Sequence, residues 1–208
     1  LIAIIDYGVG NLKSVEKAFH FIGCDAVVSS DREFILGADA VVLPGVGAYA
    51  DAMESLKKAE MVDVVQSVIA SGKPFLGICL GMQLLFDYST EGGEKVKGLG
   101  IFKGSVNQLP HDMGIKVPHM GWNIMEVKNS STLFQNLPSN PYVYFVHSYY
   151  LDAEDKNIVA ATTSYGINFD VAINSGRVYG TQFHPEKSGE AGLSILRNWV
   201  KITGNKTG

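Results

Sequence analysis

The chain has 208 residues, 46% of them hydrophobic and 18% charged, which suits one generous domain with a sizeable core rather than a disordered chain. Its net charge of -4, with no run of basic residues, argues against a nucleic-acid partner, because phosphate binders carry a basic stripe. Two cysteines, Cys24 and Cys79, are too few for a disulfide framework and suit a reducing cytoplasm. The apolar opening from Leu1 to Ile5 is stopped by Asp6 well short of a signal peptide or membrane span, and no other stretch approaches spanning length.

Taken in order, Leu1–Asp6 reads as a buried strand. A helix opens at Asn11, repeats Leu12, Val15, Phe19 and Ile22 on one face, and ends at Gly23. Cys24–Ser29 is a second strand, Asp31–Leu36 a short helical turn, and Asp39–Leu43 a third strand closed by Pro44-Gly45-Val46-Gly47. Helical patterns over Ala48–Lys58 and Val62–Ala70 are broken by Gly72-Lys73-Pro74 ahead of a fourth strand, Phe75–Ile78. The spacing then predicts a helix over Leu80–Tyr88. Fully apolar strands alternating with helices predict a parallel sheet with helices on both faces.

The second half differs. Gly-rich loops separate strand-like runs at Ile101–Leu109, Asn123–Val127, Tyr142–Tyr150, Ile158–Ser164, Phe169–Asn174 and Arg177–Phe183. Asn174-Ser175-Gly176 joins the last two as a hairpin, and Gly189–Ile202 is a final amphipathic helix. The reading is a single α/β domain over residues 1–204, with a mostly parallel central sheet flanked by helices, additional antiparallel strands in the second half, and a short polar tail, 205–208.

Three glycine turns follow strands, and each is a candidate phosphate loop. Gly8-Val9-Gly10 lacks the third small residue of a dinucleotide fingerprint. Gly45-Val46-Gly47 continues to Ala50 and matches G-x-G-x-x-A formally, but the next strand ends in Cys79 instead of an acidic residue. Tight strand-to-helix turns use glycine for steric reasons alone, so no nucleotide cofactor is expected.

The third turn, Gly77-Ile78-Cys79-Leu80-Gly81, sets a cysteine between glycines where a buried strand meets a helix. That is the layout of a nucleophile elbow, and a helix N-terminus there favours a thiolate. A cysteine that was only a small buried hydrophobe, as Cys24 is read, would leave those glycines unexplained.

A thiolate nucleophile needs a base, and the base needs an orienting group. His20 sits in the first helix as a packing or surface residue, while His111 and His119 lie in a Pro/Gly-rich loop without metal-ligand spacing. No metal is expected. In Thr181-Gln182-Phe183-His184-Pro185-Glu186, extended backbone would set Glu186 on the same side as His184, where a carboxylate fixes the imidazole and stabilises its charged form. The chain order of nucleophile, His and acid disfavours an α/β-hydrolase, which runs nucleophile, acid, His.

With the elbow Gly77–Gln83 and the tail His184-Pro185-Glu186, the chain resembles the class I (triad) glutamine amidotransferases. The stretches Asp6–Leu12, Pro44–Tyr49, Pro118–Asn123, Phe145–Tyr150 and Gln182–Ser188 extend the likeness to one family within them, the glutaminase subunits of imidazole glycerol phosphate synthases. The resemblance implies a flavodoxin-like sheet, no cofactor, and hydrolysis of L-glutamine through a glutamyl thioester on Cys79, with His184 as acid–base and Glu186 orienting it. It further implies an oxyanion hole from Gly45, Val46, Gly47 and Leu80, and substrate contacts from Gln83, His147, Ser148 and Tyr149. Asn11, Tyr144 and Lys187 would face a (β/α)8-barrel cyclase in a heterodimer, with the ammonia passed across and used in histidine biosynthesis. Two alternatives stay open: a glutaminase subunit of another pathway, such as anthranilate or pyridoxal phosphate synthesis, and a catalytically silent docking module on the same fold.

Overall fold

Apolar runs form the central strands and glycine or proline turns form their corners. The computed structural model describes residues 1–111, 114–128 and 131–204, so the tail 205–208 lies outside the described residues. Strands β1 (Ile2–Ile5), β2 (Ala26–Ser29), β3 (Ala40–Gly45) and β4 (Phe75–Cys79) alternate with helices α1 (Leu12–Phe21), α2 (Arg32–Gly37), α3 (Tyr49–Lys58) and α4 (Val62–Ala70). β4 leads into α5 (Leu80–Gln83), followed by β5 (Phe86–Ser89), β6 (Val96–Lys97), β7 (Phe102–Gln108), β8 (His119–Ile124) and β9 (Glu126–Val127). The chain continues through β10 (Tyr142–His147), β11 (Tyr149–Ala153), β12 (Val159–Tyr165), β13 (Ile167–Ser175) and β14 (Val178–Thr181) to α6 (Gly189–Thr203).

Among the described residues the strands form a 12-stranded sheet in the order β2-β1-β3-β4-β14-β13-β11-β7-β5-β6, with β12 and β9 branching from β13. From β2 to β14 all neighbours are parallel, and β13 and β11 extend the sheet with antiparallel pairs. β8 and β10 make a separate two-stranded ribbon. Every residue of β1, β3, β4 and β14 is buried, as expected for strands covered on both faces. α1 and α6 cover one face, where Phe19 and Trp199 meet with ring centroids 5.7 Å apart. α2, α3 and α4 cover the other through Ile35, Leu56 and Val65. Each such side chain contributes about 1.5–3 kcal/mol of burial.

Three expectations need correction. The helix expected over Leu80–Tyr88 stops after one turn at Gln83, and Phe86–Ser89 is a strand. The carbonyls of Leu84, Leu85 and Phe86 are taken by the N–H groups of Leu99, Ile101 and Gly100. Gly98 allows this approach, because a Cβ there would lie 2.2 Å from Phe86 O. The expected strand Tyr142–Tyr150 is divided: β10 belongs to the ribbon and β11 to the large sheet, with Ser148 between them giving its carbonyl to Leu109 N–H. Asn123–Val127 likewise divides around buried Met125 into β8, which starts earlier at His119, and β9.

Candidate active site

Three neighbouring parallel strands, β3, β4 and β14, deliver their C-terminal ends to one point, the position where open α/β sheets bind ligands. In register, Gly45 of β3 pairs with Cys79 of β4, and Thr181 of β14 pairs with Ile78. The residues after Thr181 therefore emerge beside Cys79 on one side, and Val46 and Gly47 emerge on the other.

The elbow is built by steric exclusion. A Cβ on Gly81 would sit 1.8 Å from Leu43 O, and one on Gly77 would sit 2.8 Å from Gly81 O. One on Gly45 would sit 2.8 Å from the Tyr7 hydroxyl, which itself donates to Pro44 O at 2.9 Å. Cys79 holds φ 54, ψ -113, a backbone conformation that L residues avoid at a cost of about 1–3 kcal/mol. The helix that follows is only four residues long, so its dipole is that of a single turn.

His184 and Glu186 do meet, though not along an extended strand. His184 is extended, and the 3-10 turn Pro185–Lys187 brings the Glu186 carboxylate back to it, Nδ1 donating to Oε1 at 2.8 Å. Their side chains are 3% and 1% exposed. Burial disfavours the charged ring, but hydrogen bonding to and the charges of Cys79 and Glu186 outweigh it and push the His184 pKa up to about 10. The other ring nitrogen, Nε2, is buried with no partner at ordinary hydrogen-bond length and angle, so Cys79 acts on it chiefly through charge. The backbone of His184 is fixed from two sides. Its N–H donates to Tyr144 O at 3.1 Å, and its carbonyl accepts from Ser188 Oγ at 2.7 Å. Ser188 Oγ in turn accepts from Tyr144 N–H at 2.9 Å.

Cys79 and His184 open onto a cavity of about 390 Å³, which is also lined by Val46, Gly47, Leu80, Gln83, His147, Ser148 and Tyr149. That volume lies toward the lower end of ligand sites, roughly 300–1,000 Å³. Of the residues expected at the site, Gly45 lies beneath the lining, under the elbow, and Glu186 stands behind His184. Gln83 is 4% exposed and spends its Nε2 on Tyr149 O (3.0 Å) and Gln182 Oε1 (2.8 Å), leaving Oε1 as its remaining polar atom. His147 lies in the wall, where burial pushes its pKa down to about 3 despite a hydrogen bond to Tyr149 O, so it is a neutral ring.

Sequence reasoning missed Glu91, Pro118 and Val146 in the lining and Gln182 behind it. Glu91 arrives from a distant turn and accepts from Tyr49 N–H at the start of α3, a contact with no local signal. Gln182 had one: it stands two residues before His184, and extended chain puts both on one face.

The residues expected at an interface sit at the surface near this site. Asn11 and Lys187 are exposed and Tyr144 is half-buried. Tyr144 pairs across the ribbon with Trp122, ring centroids 6.1 Å apart. Met120, Trp122 and Tyr142 on the ribbon's outer side are 62%, 55% and 57% exposed. Among the described residues, no three His, Cys, Asp or Glu side chains cluster as metal ligands, and no helix is long and apolar enough to cross a membrane.

Residues 3–202 match the family model of the class-I glutamine amidotransferases. The chain is 51% identical over 202 residues to the imidazole glycerol phosphate synthase subunit HisH of Caldanaerobacter subterraneus subsp. tengcongensis, covering 97% of this chain and 98% of the relative. It is 50% identical over 203 residues to the HisH subunit of Thermosynechococcus vestitus, covering 97% and 96%. Among solved structures, a glutamine amidotransferase crystal structure superposes with a TM-score of 0.75 at 18% identity, over 98% of each chain, a likeness of fold. A buried cysteine elbow, a His–Glu pair and these full-length matches lead to one assignment: the chain belongs to the class-I glutamine amidotransferase family, among the HisH glutaminase subunits of imidazole glycerol phosphate synthase.

Proposed function

We propose that the chain hydrolyses L-glutamine to glutamate and ammonia at Cys79 and delivers the ammonia to a cyclase subunit, which makes imidazole glycerol phosphate and an aminoimidazole carboxamide ribonucleotide for L-histidine. The observation that carries the reading is the strained Cys79 turn opening into the cavity beside the buried His184–Glu186 pair. A backbone conformation this unfavourable serves no packing purpose, and it aims the sulfur at whatever fills the cavity.

In the first half-reaction the Cys79 thiolate attacks the side-chain carbonyl carbon of glutamine, and the carbonyl oxygen takes the negative charge. N–H groups of Leu80 and the Val46–Gly47 segment flank that position, and each preorganised donor there is worth about 3–4 kcal/mol. Collapse of the adduct breaks the C–N bond. His184 gives its proton to the departing nitrogen, leaving ammonia and a glutamyl thioester. In the second half-reaction His184 takes a proton from water, the resulting hydroxide attacks the thioester, and glutamate leaves as the sulfur regains its electron pair. Gln83 and the His147–Tyr149 backbone hold the amino-acid end of the substrate.

Free ammonia in neutral water becomes ammonium and loses its nucleophilicity, so transfer needs a docked partner. Exposed Met120, Trp122 and Tyr142, flanked by Tyr144, Asn11 and Lys187, support a heterodimer interface with a (β/α)8-barrel cyclase on this face. Complementation tests the assignment. A histidine auxotroph lacking its own glutaminase subunit should grow with this gene, provided the matching cyclase is supplied. Growth restored instead in an anthranilate or pyridoxal phosphate auxotroph would overturn it.

Glu186→Gln is the second expectation. The amide oxygen can still accept from Nδ1, so the ring keeps its place, but the charge that favours the imidazolium is gone. Turnover should fall, roughly two orders of magnitude less than on loss of the nucleophile. KM for glutamine should change little. Steady-state kinetics equal to wild type would reduce the machinery to Cys79 and His184.

A further inference from the structure

A chain of buried polar groups leads from the ribbon to the nucleophile, and its hydrogen-bond directions can be worked out by elimination. Asn123 Oδ1 accepts from Ile124 N–H, so its Nδ2 faces Ser164 O and His119 Nε2 as a donor. His119 and His147, joined Nδ1 to Nε2 at 3.0 Å, are both neutral, since burial pushes the His119 pKa down to about 4 and that of His147 to about 3. His147 Nδ1 meets a backbone carbonyl, Tyr149 O, which can only accept, so Nδ1 carries the proton. The same carbonyl accepts from Gln83 Nε2. That amide nitrogen also faces Gln182, so the Gln182 atom toward it is the acceptor Oε1, at 2.8 Å. What remains for Gln182 is to point Nε2 at Cys79 Sγ, 3.6 Å away.

From this we infer that Gln182 is a further catalytic group of the proposed glutaminase: its side-chain amide donates a hydrogen bond to the Cys79 sulfur and holds it as the anion, in an orientation fixed by Gln83 and Tyr149. The inference rests on Cys79 being the nucleophile. Gln182 is wholly buried, and its own backbone N–H is tied to Val171 O at 2.8 Å, so the donor is placed rigidly. Unlike His184, an amide has no proton to give up and cannot accept one from the thiol. It acts on charge alone, at every pH. It therefore assists both half-reactions: it favours the thiolate that attacks, and it stabilises the sulfur as leaving group when water cleaves the thioester.

The test is alkylation of Cys79 by iodoacetamide, followed from acidic to alkaline pH in a Cys24→Ala background, with glutamine kinetics measured on the subunit assembled with its cyclase. Gln182→Met keeps the volume and removes the donor. Its alkylation midpoint should rise by about one pH unit, a tenfold loss of thiolate near neutrality. Gln182→Glu keeps the shape and the acceptor for Gln83 but turns a carboxylate toward the sulfur, and its midpoint should rise further. In both variants kcat should fall while KM for glutamine stays within about twofold, because the contact is made with the sulfur and not with the bound substrate. A purely structural Gln182 would lower stability without moving the alkylation midpoint. Midpoints coinciding with the parent overturn the inference, and if Gln182→Met loses its native circular dichroism, the Gln182→Glu midpoint decides. A failure of the underlying reading shows separately, as glutamine hydrolysis surviving in Cys79→Ala.

Discussion

Cys79→Ala should reduce glutamine-dependent turnover by roughly five to six orders of magnitude, to the assay background, while the assembled enzyme still makes product from ammonium salt. The sulfur forms the bond on which both half-reactions depend, and no other thiol lines the cavity, since Cys24 lies in the core beneath α1. The strained backbone at φ 54 is as unfavourable for alanine as for cysteine, because both carry a Cβ. The variant should therefore fold and dock normally. Ammonia-dependent synthesis is the internal control, because it needs the cyclase site and an intact complex but no nucleophile here. Cys24→Ala, which removes one buried thiol, should alter activity little. Glutamine-dependent turnover retained in Cys79→Ala would take the cysteine out of the mechanism.

The second large effect concerns regulation by assembly. The free subunit should hydrolyse glutamine about a thousandfold more slowly than the complex holding an acceptor ligand, a change that needs only about 4 kcal/mol of differential binding. A glutaminase running alone would waste glutamine, so a gate is chemically reasonable, and the strand after β3 has the construction for one. Pro44 is held by the Tyr7 hydroxyl and Gly45 is wedged against Gly81 N–H. Two residues on, Gly47 holds φ 89 with nothing within 4 Å of where a Cβ would stand, and Val46 is 39% exposed at the cavity rim. The segment is thus anchored at one end and free at the other. The peptide linking Val46 to Gly47 is the one able to rotate, and only one orientation aims its N–H at the developing oxyanion. The neighbouring link between Tyr144 and His184 gives a docked partner a second route to the site, because ordering β10 also orders the acid–base residue. Rates measured for the subunit alone, with cyclase, and with cyclase plus an acceptor analogue decide the matter. Equal rates in all three would eliminate the gate.

The amino-acid sequence by itself determined most of the frame and the identity of the central residues. Fully apolar strands alternating with amphipathic helices specify a parallel sheet because burial on both faces leaves no other pattern. Gly77 and Gly81 around Cys79 specify the elbow because no side chain fits at either position. These are local or near-local effects, written in residue type and spacing. Tertiary structure decided the rest, through contacts between residues far apart in the chain. Leu84, Leu85 and Phe86 carry a helical pattern, yet their carbonyls are claimed by residues 99–101, and the helix ends after one turn. Tyr142–Tyr150 alternates like one strand, but Ser148 hands its two halves to different sheets. Glu186 reaches His184 through a 3-10 turn instead of along a strand. The orientation of Gln182 follows from Gln83 and Tyr149, 99 and 33 positions away in sequence order, and a hydrogen bond across that separation exists only once the sheet has closed. Side-chain periodicity records which face a residue prefers; which distant donor or acceptor waits there is set by the assembled fold.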